Sequence, residues 1–186
     1  MMKKLMVATA ALTVLLAAGP PAYADSGASA LAAGKKHVTN RIDLRLAALH
    51  RFGTTLSNAG KVQPAHRAAL TSLLDDQTAK LTALRTKVAG ESSTGAVKAD
   101  ATSMVDDFRV FVLTGPKVRL TAAIDTELAA AAALGDKADP VEKSLAGQVD
   151  TLLAIEPGPD RDAITAGLKP VRQAAHTARN QLKSLI

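Results

Sequence analysis

Residues 107–120 read Asp-Phe-Arg-Val-Phe-Val-Leu-Thr-Gly-Pro-Lys-Val-Arg-Leu, and how Val110 to Leu113 are taken decides the fold. Their β-branched and aromatic side chains favour a strand. One strand with no partner elsewhere in the chain would leave its backbone N–H and C=O groups unpaired. A helix apolar on all sides satisfies its own backbone and belongs at the centre of a bundle. The stretch therefore predicts a buried helix. Pro116 would deprive the carbonyl of Val112 of its donor and press against it, so a kink or stop is expected at Gly115-Pro116.

Outward from this segment the chain keeps a helical period. Upstream, Val97, Ala101, Met104, Val105 and Phe108 form a face that follows the loop Gly90-Glu91-Ser92-Ser93-Thr94-Gly95. Before the loop, Leu70, Leu74, Gln77, Leu81, Leu84 and Val88 step by four and three, with Pro64 placed for a first helical turn. Leu31, Val38, Ile42, Leu49, Phe52 and Leu56 do the same from about Ala28 to the stop signal Asn58-Ala59-Gly60, interrupted by Lys35 and Arg45. Downstream, Leu120, Ile124, Leu128, Ala131 and Leu134 give another face, ending at Gly135-Asp136-Lys137-Ala138. Asp139-Pro140-Val141-Glu142 predicts a capping box at the start of a short helix. A last seam, Ile164, Leu168, Val171, Ala175, Ala178, Leu182 and Leu185, contains Pro170, where a kink or fresh start is expected. The fold expected is all-α, an antiparallel bundle of four to five long helices kinked near Gly115-Pro116 and Pro170.

Composition agrees. The 186 residues are 47% hydrophobic but only 2% aromatic, which suits Ala-rich helices approaching closely rather than sheets. Lys3 and Lys4, the apolar run Leu5 to Ala18, the break Gly19-Pro20-Pro21 and then Ala22-Tyr23-Ala24 have the order of a secretory signal, with cleavage expected after Ala24. The apolar run is short for a membrane span and ends in two prolines. The expected organisation is a signal over 1–24 and one helical-bundle domain over 25–186, secreted or extracytoplasmic and in some settings wall-associated, with no transmembrane anchor once the signal is removed. Cysteine is absent, which removes disulfides and thiolate metal sites.

The segment Asp107 to Leu113 followed by Pro116-Lys117-Val118-Arg119-Leu120 resembles one in uncharacterised exported, Ala-rich helical-bundle proteins of high-GC Gram-positive bacteria. The order of parts is similar too: export signal, long basic helix, helical hairpin, kinked segment, and a closing helix rich in Arg and Ala. Those proteins often carry Tyr where this chain has Phe108 and Phe111. The resemblance implies fold and location, and no activity comes with it.

No catalytic residue, cofactor site or metal site is expected. His37, His50, His66 and His176 are scattered, and no Glu has a His three residues later, the pair that lets one helix face grip a metal. The carboxylates of Asp75-Asp76 and Asp106-Asp107 diverge on a helix, and Lys80 is placed one turn from Asp76 for an ion pair. Neither a Gly-x-Ser-x-Gly elbow, a phosphate-cradling glycine loop nor His-Glu-x-x-His occurs. Charge carries more information: 23 Lys and Arg against 17 Asp and Glu, with the basic excess in the first and last helices. Lys35, Lys36, Arg41, Arg45, Arg172, Arg179 and Lys183 form a candidate basic face if those two helices pack side by side, suited to an anionic envelope component or an acidic protein. Nucleic acid is disfavoured by location and by the lack of aromatics to stack on bases. Arg45 lies in the seam, and its guanidinium is expected to snorkel to the rim. The chain is thus read as a non-enzymatic binding protein, monomeric or homodimeric. The alternative is an extracytoplasmic carrier or chaperone that holds an apolar ligand or unfolded chain in a seam opening near Gly115-Pro116.

Overall fold

The computed structural model describes residues 23–186, and the expected signal over 1–24 lies outside them save for its last two residues. All regular structure among the described residues is helical: α1 Tyr23–Asn58, α2 Pro64–Gly90, α3 Thr94–Asp106, α4 Gly115–Leu134, α5 Asp139–Leu145, α6 Gln148–Leu153 and α7 Arg161–Ser184. A π-helical turn, Val110–Thr114, runs into α4, and a 3-10 turn, Gly135–Ala138, leads out of it. No described helix is long and apolar enough to cross a membrane.

The seams read from the sequence supply most of the buried faces, except that Leu185 lies just past the end of α7 and is exposed. Val38, Ile42, Leu49 and Leu56 of α1 meet Leu70, Leu74, Leu81 and Val88 of α2, and Val97 and Met104 of α3 close the first core. Ile124 and Ala131 of α4 meet Val141 and Leu145 of α5, Val149 and Leu152 of α6, and Ile164, Leu168, Val171, Ala175, Ala178 and Leu182 of α7 in a second core. Helix α4 serves both, with Val118 in the first and Ile124 in the second. That explains its apolar character on nearly every side.

Two polar clasps fix the α1–α2 turn. Arg67 donates to the carbonyls of Leu56 and Ala59 at the end of α1, which satisfies acceptors that a helix terminus leaves free. From α4, the fully buried Asp125 carboxylate accepts from the Gln63 N–H at 2.9 Å and lies 3.0 Å from His66 Nδ1. The hairpin is thereby tied to the central helix.

The central break differs in place and form from the one expected. The sharp turn falls at Arg109, whose φ of 44° puts a non-glycine residue in the left-handed region. The chain is helical again from Val110, and the Gly115 N–H bonds to the Val110 carbonyl in the wide π pattern. That turn leaves room for the Pro116 ring, which sits in the first turn of α4, where a missing N–H costs little. The chain therefore bends ahead of Gly115-Pro116 and passes through the pair in helical form. Pro170 likewise lies inside an unbroken α7, on its exposed side.

Two local expectations are corrected. Asp139 and Glu142 occupy the first turn of α5, but Ala138 is the cap residue and no side-chain cap bond forms, so the capping box is absent. The short helix is also divided in two by Gly147, at a φ of 69°. A glycine there supplies a backbone angle that side-chain-bearing residues avoid.

Gly115 is required for a different reason. A Cβ at this position would lie 2.7 Å from Cζ of Phe52 in α1, so the ring is seated against bare backbone. Gly115→Ala is expected to cost about 1 to 2 kcal/mol by overpacking, after the gain in helix propensity. Thermal unfolding of Gly115→Ala and of Gly115→Ala with Phe52→Leu checks this, the second change recovering part of the loss.

Candidate functional site

The seven residues of the expected basic face are not brought together. Helix α1 packs on α2, α3 and α4, whereas α7 packs on α4, α5 and α6, so the first and last helices lie on different sides of α4. Lys36, Arg172 and Lys183 are exposed. Lys35 donates to the carbonyl of Ala89 at 2.9 Å, and Arg179 Nε lies 3.1 Å from the buried Glu127 carboxylate. Asp43, the acid within the α1 charge run, pairs with Arg85 of α2 at 2.9 Å.

Arg45 does not snorkel. It is 9% exposed, donates to the carbonyl of Arg41 at 3.0 Å, and has its Nε buried without an acceptor. Its guanidinium lies 5.5 Å from the centre of the Phe111 ring, a cation–π contact in place of a carboxylate partner. Burial and then the neighbouring Arg41 charge lower its pKa. Arg41 is half-buried beside it.

The histidines are equally dispersed. His37, His50 and His176 are exposed, and His66 is held by Asp125. Among the described residues no group of three or more His, Asp or Glu is placed to hold a metal ion. Asp76 pairs with Lys80 at 2.8 Å, as the spacing predicts, while the exposed Asp75 stands apart. Asp106 pairs with Arg109 at 2.9 Å, and Asp107 accepts from the Ser103 hydroxyl.

What the break does assemble is a cleft of about 790 Å³ between α2 and the segment from Asp107 to Lys117. Leu73, Ala83 and Leu84 of α2 form one wall, Phe108 and Leu113 the other, and Pro157 of the α6–α7 connection closes an end. This volume and its mixed lining fall in the range of small-molecule sites.

Its polar groups are set from within the fold. Gln77, a seam residue of α2, donates to the Phe108 carbonyl at 3.3 Å and accepts from the Thr114 hydroxyl at 2.9 Å. This buried pair fixes α2 against the π turn. Lys117 is 5% exposed and donates to the Leu153 carbonyl at 2.8 Å, with no carboxylate within ion-pair distance among the described residues. Burial lowers its pKa, and the more distant Glu156 opposes that weakly. At the rim, Lys80 is engaged by Asp76, and Lys87 by Asp100 and Glu91. The hydrogen bond to Asp100 raises the pKa of Lys87.

Arg109 holds this arrangement. Its carbonyl accepts from the N–H groups of Val112, Leu113 and Thr114, and its guanidinium donates to Asp106 and to the carbonyls of Gly158 and Pro159. The side chain thus ties the end of α3 to the connection that closes the cleft. Sequence reading missed this residue, although a lone arginine inside an apolar run was a signal that it must find acceptors.

No family model, curated protein or solved structure matches this chain.

The pairing of Arg179 with Glu127 makes its removal costly. Burial raises the Glu127 pKa and the Arg179 charge and hydrogen bond oppose that, while Glu127 Oε2 has no partner. Arg179→Ala is expected to lose about 1 to 2 kcal/mol at neutral pH, less than for a fully enclosed pair because Arg179 is half exposed. For a carboxyl whose folded pKa is raised, the penalty applies above that pKa and fades as pH falls through it. Urea unfolding from pH 7 to pH 4 should therefore show the deficit shrinking on acidification.

Proposed function

We propose that this protein is an exported, non-enzymatic binding protein that holds a small ligand with an apolar body in the cleft between α2 and residues 107–117. The observation that carries the reading is the cleft itself, about 790 Å³ lined by Leu73, Leu84, Phe108, Leu113 and Pro157. A segment that bends at a left-handed arginine and then takes a π turn is expensive to maintain, and such irregularities recur at functional sites. Here the irregular segment supplies Phe108 and Leu113 to the lining of the cleft.

Export rests on the N-terminal pattern ending at Ala24, and binding rather than turnover rests on the fixed engagement of the ionisable groups. Among the described residues at and beside the cleft, Asp76, Asp106, Asp107, Lys80 and Lys87 each have a partner. A basic face remains a weaker reading. Its members lie on α1 and α7, so any anionic polymer or acidic protein would meet two separate patches rather than one ridge.

An uncharged solvatochromic dye tests the seat of binding. It should bind the native protein, and Ala83→Trp, which adds an indole at an exposed wall position, should weaken uptake at least tenfold without lowering the melting temperature. Binding that falls steeply with added salt and ignores Ala83→Trp would instead favour the basic faces. Absence of any dye binding by the folded protein would remove the cleft reading.

A further inference from the structure

Lys117 is the buried cation of the cleft lining, and no carboxylate pairs with it among the described residues. It is buried beside an open cleft, and one of its three N–H donors reaches the Leu153 carbonyl. No other acceptor lies within hydrogen-bond distance among the described residues. A desolvated ammonium of this kind is costly unless a counter-charge meets it. The other charges along the cleft do not supply one: Asp76 is taken by Lys80, Asp107 lies exposed at the rim with Ser103, and the Lys87 charge is offset by Asp100 and Glu91. After the Asp76–Lys80 and Lys87–Asp100 pairs cancel, the cleft presents apolar walls, the exposed Asp107 carboxylate at its rim and one buried positive charge at Lys117.

We infer that the cleft takes a single-chain amphiphile with a monoanionic headgroup, a fatty carboxylate being the simplest, whose chain lies along Leu73, Leu84, Phe108 and Leu113 and whose charge meets Lys117. The inference rests on the cleft being the binding seat and adds to it the charge and place of the headgroup. A carboxylate accepts from the two remaining N–H donors, and the same contact in water would be worth far less. Lys117 is then a headgroup-positioning residue. Its bond to Leu153 in α6 holds the ammonium in place before the ligand arrives.

The experiment displaces the uncharged dye from the native protein with three ligands of one chain length: dodecanoate, dodecanol and dodecyltrimethylammonium, each below its micellar concentration. Dodecanoate should displace the dye at a concentration at least tenfold below that of dodecanol, with the ammonium compound weakest. Lys117→Met should abolish the advantage of dodecanoate over dodecanol, and Lys117→Arg should keep most of it. Equal displacement by dodecanoate and dodecanol, or preference for the ammonium compound, in the native protein would overturn the inference while the dye still reports a working cleft. Failure of the dye to bind at all would bring down both. Since the comparison among ligands uses the unaltered protein, the outcome does not depend on how well either variant folds.

Discussion

Everything distinctive about this bundle depends on the backbone of Arg109 being held in a conformation that an L-residue with a side chain avoids. Left-handed geometry at a non-glycine position costs on the order of 1 kcal/mol or more. It persists because the surroundings over-determine it. The carbonyl of Arg109 serves as the acceptor for the opening of the next helical turn, and its guanidinium is engaged by Asp106, Gly158 and Pro159. With the chain turned there, Val110 to Thr114 can wind wide, Pro116 can enter a helix without a clash, and Gly115 can let Phe52 of α1 touch the backbone. The cleft wall formed by Phe108, Leu113 and Lys117 is a consequence of the same turn.

The helical architecture was legible because burial follows period. Every residue assigned to the α7 seam from Ile164 to Leu182 is buried, and Gln77 was recognised as a seam position despite its polarity. Residues 110–113 were correctly taken as helical, since a lone strand has nowhere to pair, but the expected burial on all sides fails at Phe111, which is half exposed. What period alone does not carry is the exact point of a bend. Gly115-Pro116 has the composition of a stop, yet a π turn absorbs the proline, and the reversal sits at an arginine whose stabilising contacts come from residues some fifty positions later. Period did not reveal the division at Gly147 or the missing capping box at Asp139 either. Helices α5 and α6 both pack on α4 and α7, and the break between them falls at a glycine.

The candidate site was less legible still. A seam opening near Gly115-Pro116 was among the readings open from sequence, and the cleft lies along that segment. Its chemistry was hidden, because Lys117 looks like one more basic residue in a chain with many. Only the three-dimensional placement distinguishes it from Lys80 and Lys87, which have carboxylates at hand. The converse error concerned Arg45. Position in an apolar seam suggested a charged head reaching water, whereas an aromatic face at 5.5 Å receives it instead. Basic residues on α1 and α7 are close in charge pattern and distant in space, since α4 stands between their helices.

Helix α4 belongs to both cores, so each half of the molecule is packed against the same central element. Helices α1, α2 and α3 bury their seams on one side of α4, and α5, α6 and α7 on the other. Local opening of either half is a route that such an arrangement leaves available. The cleft crosses this division, since α2 walls it from the first half while Leu113, a member of the second core, and Pro157 line it on the other side. An occupant of the proposed kind would therefore touch both halves. By mass action it would favour the folded state in which both are closed, raising the melting temperature and making the whole chain harder for proteases to enter.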